Sequence, residues 1–284
     1  GPDGATIPLL LGEDFQVCSF GEAGKFSAPV VFLGYGIQST DPVYDDFASV
    51  DVKGKVVVVM RRTPQQGREP GLFDAGPHGT SRHAGLRTKV SNAFRSGAAA
   101  ILFVNDPYTG QHEAEQIAAQ LAQARMDLAA ATQAITDAGP ESDKLAELQE
   151  QQRLAQRRVE QTEIVAKEHK VDPLMEFGYG GPRSGKAVPI LHISQAACDK
   201  LLAATLGQSL REVEVAIDET AQPRSRELTG WTAVGETALT VKRVDVANVV
   251  GVLEGAGPLA DETIVIGAHY DHIGFGGDGS LAPG

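Results

Sequence analysis

The chain has 284 residues, a formal net charge of −12 and a pI near 5.0. That acidic balance argues against a nucleic-acid footprint, which needs a basic patch, and no apolar run approaches the ~18 residues of a membrane span. Hydrophobic residues at 42%, with 32 glycines and 15 prolines, describe a turn-rich globular chain, long enough for one large or two ordinary domains.

The start, Gly1-Pro2-Asp3-Gly4, shows no charged stretch leading into an apolar one, so no signal peptide is visible there, although one could already have been removed. Pro29–Ile37 alternates apolar residues with glycines and predicts a strand. Val50–Lys55 predicts a tight turn and Val56–Met60 a buried strand. A loop rich in Gly and Pro follows, from Pro64 to Gly79. Leu86, Val90, Ala93 and Phe94 then lie on one face of a helix, with Ser81 as its cap and Gly97 as its stop. Ala98–Val104 is the next strand, running into a turn at Asn105-Asp106-Pro107, and strand, helix and strand together predict a βαβ unit.

Residues 111–170 differ in composition: rich in Ala, Gln and Glu, without aromatic residues. Ile117, Leu121, Ala124, Leu128, Ala131 and Ile135 step by four and three, the heptad seam. After a break at Gly139-Pro140, Leu148, Gln152, Ala155, Val159, Thr162 and Ala166 repeat the stepping, so an antiparallel helical hairpin is expected. A seam with several Ala, a Gln and a Thr is weak. The hairpin is either an insertion packing on itself or in an oligomer, or an arm for a protein partner.

Val188–Ile193 predicts a strand. Ser194 caps a short helix with Ala197, Leu201 and Leu202 on its apolar face, ended by Gly207. Val213–Ile217 alternates and is read as β, Ala238–Val246 as an edge strand, and Asn248–Leu253 and Thr263–Ala268 as apolar strands around the turn Glu254–Pro258. His269-Tyr270-Asp271-His272 follows at the carboxyl end of the last strand, where open α/β sheets place their ligand crevice. Alternation puts His269 and Asp271 on one side. A neutral imidazole is a good zinc ligand, and a carboxylate two residues on is placed to organise such a site. His-x-Asp is nevertheless a weak signal by itself.

The segment Asn248-Val249-Val250-Gly251-Val252-Leu253-Glu254-Gly255, then Thr263-Ile264-Val265-Ile266-Gly267-Ala268-His269-Tyr270-Asp271-His272-Ile273-Gly274, resembles the opening of the catalytic domain of metallopeptidase family twenty-eight, the co-catalytic zinc aminopeptidases. The resemblance implies that His269 is a ligand of one of two zinc ions, that Asp271 is the carboxylate beside it with a catalytic role, and that the substrate is a peptide or protein. The family's bridging aspartate, general-base glutamate and other ligands would lie beyond Pro283-Gly284. The 284 residues are therefore expected to be inactive alone, because two-metal hydrolysis needs a bridging carboxylate and a base. A second set of segments, Lys53–Val59, Leu86–Ala100 and Val188–Ser194, is similar to the protease-associated (PA) domain, whose proposed roles are covering an active site, shaping substrate access or binding partners.

The expected fold is α/β: an open sandwich of PA type carrying the inserted hairpin, then an incomplete α/β zinc-peptidase sheet. The expected domains are an N-terminal segment over 1–25, the PA domain over 26–225 with its insertion at 111–170, and the start of a catalytic domain over 226–284. Relatives of this kind imply a secreted or periplasmic location. The rival expectation is a protein-binding module whose hairpin and α/β body recognise a partner or a second copy. Gly274–Gly279 matches G-x-G-x-x-G literally but lacks the helix and downstream acid that a dinucleotide site needs. His78, His83, His112 and His169 are expected to be solvated, His192 to be packed in its strand, and His272 to fall on the opposite face from His269. Cys18 and Cys198 are too few for a disulfide framework, and sequence does not decide whether they pair.

Overall fold

Buried apolar strands build the centre of the molecule, seen in a computed structural model that describes residues 1–68, 70–73, 81–175, 188–240 and 248–268. The strands are β1 (Phe15–Val17), β2 (Gly24–Phe32), β3 (Gln38–Thr40), β4 (Val43–Asp45), β5 (Val56–Met60), β6 (Ala100–Val104), β7 (Ile190–Ile193) and β8 (Arg226–Thr237). The helices are α1 (Leu86–Arg95), α2 (Pro107–Ala138), α3 (Leu145–Glu168), α4 (Gln195–Leu206) and α5 (Leu210–Thr220). Six strands form one sheet in the order β1-β7-β6-β5-β2-β8, and β3 and β4 form a small hairpin. β2, β5, β6 and β7 run parallel, with β1 and β8 antiparallel at the edges. The chain divides into two units, Gly1–Thr240 and Val241–Gly284.

Every residue of β5, β6 and β7 is buried, as parallel strands covered on both faces require. Val56, Val58 and Met60 face one layer with Leu102, Leu202, Leu210, Ile217 and Trp231, while Val57 and Val59 face the other with Ile101, Phe103 and Ala93. Burying each large aliphatic side chain is worth ~1.5–3 kcal/mol, so these two layers carry the fold. The predicted βαβ unit is β5-α1-β6. Ser81 caps a short 3-10 turn, Arg82–Ala84, rather than α1 itself, which starts behind Gly85.

α2 begins earlier than expected. Asp106 accepts the Thr109 N–H at 2.9 Å and Pro107 takes the first helical position, so the predicted turn is an N-cap. α2 and α3 are antiparallel: Arg125 meets Glu163 at 2.7 Å and Gln152 donates to Thr132 at 3.0 Å. All twelve seam positions are shielded, but only Ala124 and Val159 are buried, which is how a small-residue seam packs. Ser194 caps α4 through the Ala197 N–H at 3.2 Å, and Gly207 ends it in the left-handed region at φ 66°.

Three expectations are corrected. Val213–Ile217 is helical, not β. Ser209 and Glu212 form a capping box, and Leu210, Val213, Glu214 and Ile217 make a buried stripe at helical spacing. The last strand of the main sheet is Arg226–Thr237, paired with β2. Residues 226–237, assigned above to the start of a second domain, therefore belong to the first sheet, and the expected edge strand at Ala238–Val246 has no strand at 238–240 and otherwise lies outside the described residues. Asn248–Leu253 and Thr263–Ala268 take no strand pairing among the described residues, and Val249, Leu253 and Ile266 are exposed by 87%, 96% and 94%. A strand needs a neighbour for its N–H and C=O groups, and nothing described pairs with these.

Candidate functional site

The carboxyl ends of β2, β5, β6 and β7 open on one side of the sheet, the place where α/β sheets hold ligands. The loop after β2 turns through Gly34 and Gly36, both with positive φ, and close packing excludes a side chain at each: a Cβ on Gly34 would meet Asp46 Oδ1 at 2.5 Å, and one on Gly36 the Val59 side chain at 2.8 Å. Asp46 accepts the Ile37 N–H at 2.9 Å, Lys89 donates to the Tyr35 carbonyl, and Asn92 donates to the Gly36 carbonyl at 3.3 Å. Asp46 and Lys89 are both buried. Burial pushes the Asp46 carboxyl up and the Lys89 ammonium down, and their mutual attraction opposes both shifts.

The loop after β5 places Arg62 and Gln65 at φ 61° and 60°, unusual for residues with side chains. It is tied down by Asp218, which accepts the Gln65 backbone N–H at 2.8 Å, while the Gln65 side chain donates to the Asp218 carbonyl at 2.8 Å. Gln66 reaches Asp106 at 3.0 Å. Glu214, 1% exposed, accepts the Tyr108 N–H through both oxygens at 2.9 and 3.2 Å and the Tyr35 hydroxyl at 3.5 Å. Burial, with Asp106 and Asp218 nearby, pushes its carboxyl up to about 8. A cleft of about 230 Å³ lies here, among Gln65, Arg68, Tyr108, Arg211, Glu214 and Asp218.

Asn105, at the end of β6, is fully used. It accepts from Arg61 at 2.8 Å and from His192 Nε2 at 3.1 Å, and donates to Asp172 Oδ1 at 2.8 Å and the Pro173 carbonyl at 2.9 Å. His192 Nδ1 accepts the Met175 N–H at 3.2 Å, so its Nε2 carries the proton, and burial holds the ring down at about 4. Asp172 also accepts the Gln195 N–H at 2.6 Å. This network ties the exit of the α2–α3 hairpin to three strands and α4. A second, larger cavity of about 610 Å³ lies on the sheet face beside β8.

His269 and Asp271 lie outside the described residues, as do His78, His272 and Gly274–Gly279. Among the described residues no group of three or more His, Cys, Asp and Glu side chains could hold a metal ion. No described helix is long and apolar enough to cross a membrane. His192 is packed, as expected. His83 is buried rather than solvated, with its ring 4.8 Å from that of Phe73. His112 stacks on Tyr108 at 5.1 Å. Cys18 and Cys198 are buried free thiols, and burial pushes the Cys18 thiol up to about 12. The polar groups of this end were missed in sequence, although Lys89 and Glu214 each carry a signal. Lys89 stands three residues after Leu86 on the apolar side of α1, and Glu214 four after Leu210.

An open, mostly parallel sheet with helices on both faces, carrying a long helical insertion and a polar network at its strand ends, places the protein in the mixed α/β class. Residues 20–133 match the family model of the PA domain, from the turn after β1 into α2. The chain therefore carries a protease-associated domain, a module found with proteases and aminopeptidases and fitted to protein or peptide interaction. No curated protein matches the chain.

Proposed function

We propose that the chain is the PA-containing portion of a two-zinc aminopeptidase. In this reading the PA domain accompanies a catalytic domain that opens in the segments Asn248–Leu253 and Thr263–Ala268, and substrates are peptides or proteins cleaved at the N-terminal bond. The observation that carries it is the occurrence, in one chain, of a PA domain over 20–133 and the His269-x-Asp271 motif directly behind an apolar run. His269 would hold one zinc, and Asp271 would orient the groups beside it. Bound zinc polarises a carbonyl and activates water. A secreted or periplasmic location is part of the same proposal. Metal analysis of a chain extended through a catalytic domain tests it: His269→Ala should lower the zinc content, and full retention of zinc and of activity would sink the reading.

A second reading is favoured by the hairpin base. The Asn105–Asp172 network holds α2 and α3 in one direction, and Met126 and Ile164 are exposed by 65% and 56% on their outer sides. A protein-binding arm has that form. An extended chain lacking the hairpin but keeping full peptidase activity on free peptides, while losing a protein partner or self-association, would separate the two roles.

A further inference from the structure

β8 is a sheet edge of twelve residues. It pairs with β2 on one side, and among the described residues its other side takes no main-chain hydrogen bond. Exposed edges are usually blunted by shortness, proline, lysine or a bulge. Gly230, at φ 81° against the Pro2 ring, lies where the pairing of β8 with Pro29–Val31 slips in a bulge, but beyond that bulge Trp231–Glu236 contains no proline or lysine, and its Val234 is 76% exposed.

The same six residues line the cavity of about 610 Å³. Its floor is the sheet face at Leu102, Leu191 and Ile193, and Leu201 of α4 and Ile7 of the N-terminal segment close its sides. Glu236 is the sole charged side chain on the described lining, and Lys25 lies 3.5 Å from it. The volume falls in the range of ligand sites, ~300–1,000 Å³. A strand edge unpaired among the described residues and a largely apolar cavity thus run alongside each other over the same stretch of backbone.

We propose that this edge binds an extended peptide that adds a strand to β8 and places a bulky apolar side chain in the cavity. Backbone pairing supplies sequence-tolerant affinity, and the cavity selects at alternate positions, because side chains of a strand leave on alternate faces. An uncharged floor disfavours Asp, Glu, Lys and Arg there, since a charge loses its hydration without a partner. The proposal goes beyond the metal-site reading and does not depend on it: every residue used lies in Gly1–Thr240.

Trp231 is the only tryptophan and lines the cavity, which makes its emission a direct reporter. The whole 284-residue chain is titrated with an N-acetylated, C-amidated hexapeptide alternating Thr with Phe and Leu, followed by Trp231 fluorescence and by calorimetry. Three peptide analogues are compared: two N-methylated at one or the other set of alternate amides, and one with Phe and Leu replaced by Ser. Saturable binding is expected, weakened at least tenfold by one N-methylation register and by the Ser replacement. Ala233→Phe, which fills the cavity, should weaken binding by a similar factor. Because the peptide series leaves the protein unchanged, it decides the question even if that variant folds poorly. Equal binding of both N-methylated registers would show that a small apolar group enters without strand pairing and would overturn the proposal. So would the absence of saturable binding by both measurements up to millimolar peptide.

Discussion

Asn105 Nδ2 donates to Asp172 Oδ1 at 2.8 Å, joining the last residue before the helical hairpin's cap to the first acid after its exit. The contact closes a 67-residue excursion of the chain with one side-chain bond. His192 and Arg61 saturate the oxygen of the same amide, so a polar hub helps seat the hairpin on the parallel strands.

Asn105→Ala should destabilise the fold by about 2–4 kcal/mol, because it strands several buried partners at once. Chemical unfolding of the two proteins measures this. A loss below about 0.5 kcal/mol, the size of a neutral surface change, would mean the hub adds nothing to stability.

Replacing residues 114–166 with a short Gly/Ser linker should leave cooperative unfolding intact. The seam buries only Ala124 and Val159 fully, while Asn105, Asp172 and Gln195 remain to hold the base. A thermal scan that loses its single transition would show that the hairpin is part of the core.

Glu214 predicts a pH dependence. Its folded carboxyl sits at about 8, above the ordinary 4.5. The folded state therefore holds the proton more tightly than the unfolded state, and stability from this group falls as pH rises from about 4.5 through about 8. Glu214→Gln keeps an uncharged acceptor for the Tyr108 N–H, so the variant should lose less stability than the parent over that window, by an amount on the order of a few kcal/mol. Parallel slopes of unfolding free energy against pH would show that Glu214 is ionised in the folded protein at neutral pH.

On the proposed two-zinc reading, the 284-residue chain alone should turn over no aminoacyl nitroanilide, with zinc in excess, since His269 would supply one ligand where a catalytic zinc takes three. Chelator-sensitive hydrolysis by this chain would contradict that. In a chain extended through the catalytic domain, Asp271→Asn should keep most of the metal and lower the rate about 10–100-fold, the usual effect of altering a group that orients a ligand. Metal loss equal to that of His269→Ala would make Asp271 a ligand itself.

The seam of α2 and α3, the buried runs Val56–Met60 and Ala100–Val104, and the caps Ser194 and Gly207 were legible in the sequence because each rests on residues within a few positions of one another. Val213–Ile217 was not, because five residues satisfy a period of 2 as well as one of 3.6, and the capping box at Ser209 and Glu212 settles it for the helix. β8 was missed because its partner, β2, lies some 200 residues earlier, and pairing at that separation leaves no local pattern. The PA resemblance was read from strand and helix segments and matches over 20–133. The His269-x-Asp271 motif is legible only as residue types, its geometry lying outside the described residues. What only the tertiary structure decided is which polar residues are buried together. Asp46 with Lys89, Asn105 with His192 and Asp172, and Glu214 with Tyr108 come from different elements, and their hydrogen bonds and shifted proton affinities exist only once the strand ends bring them into one low-dielectric place.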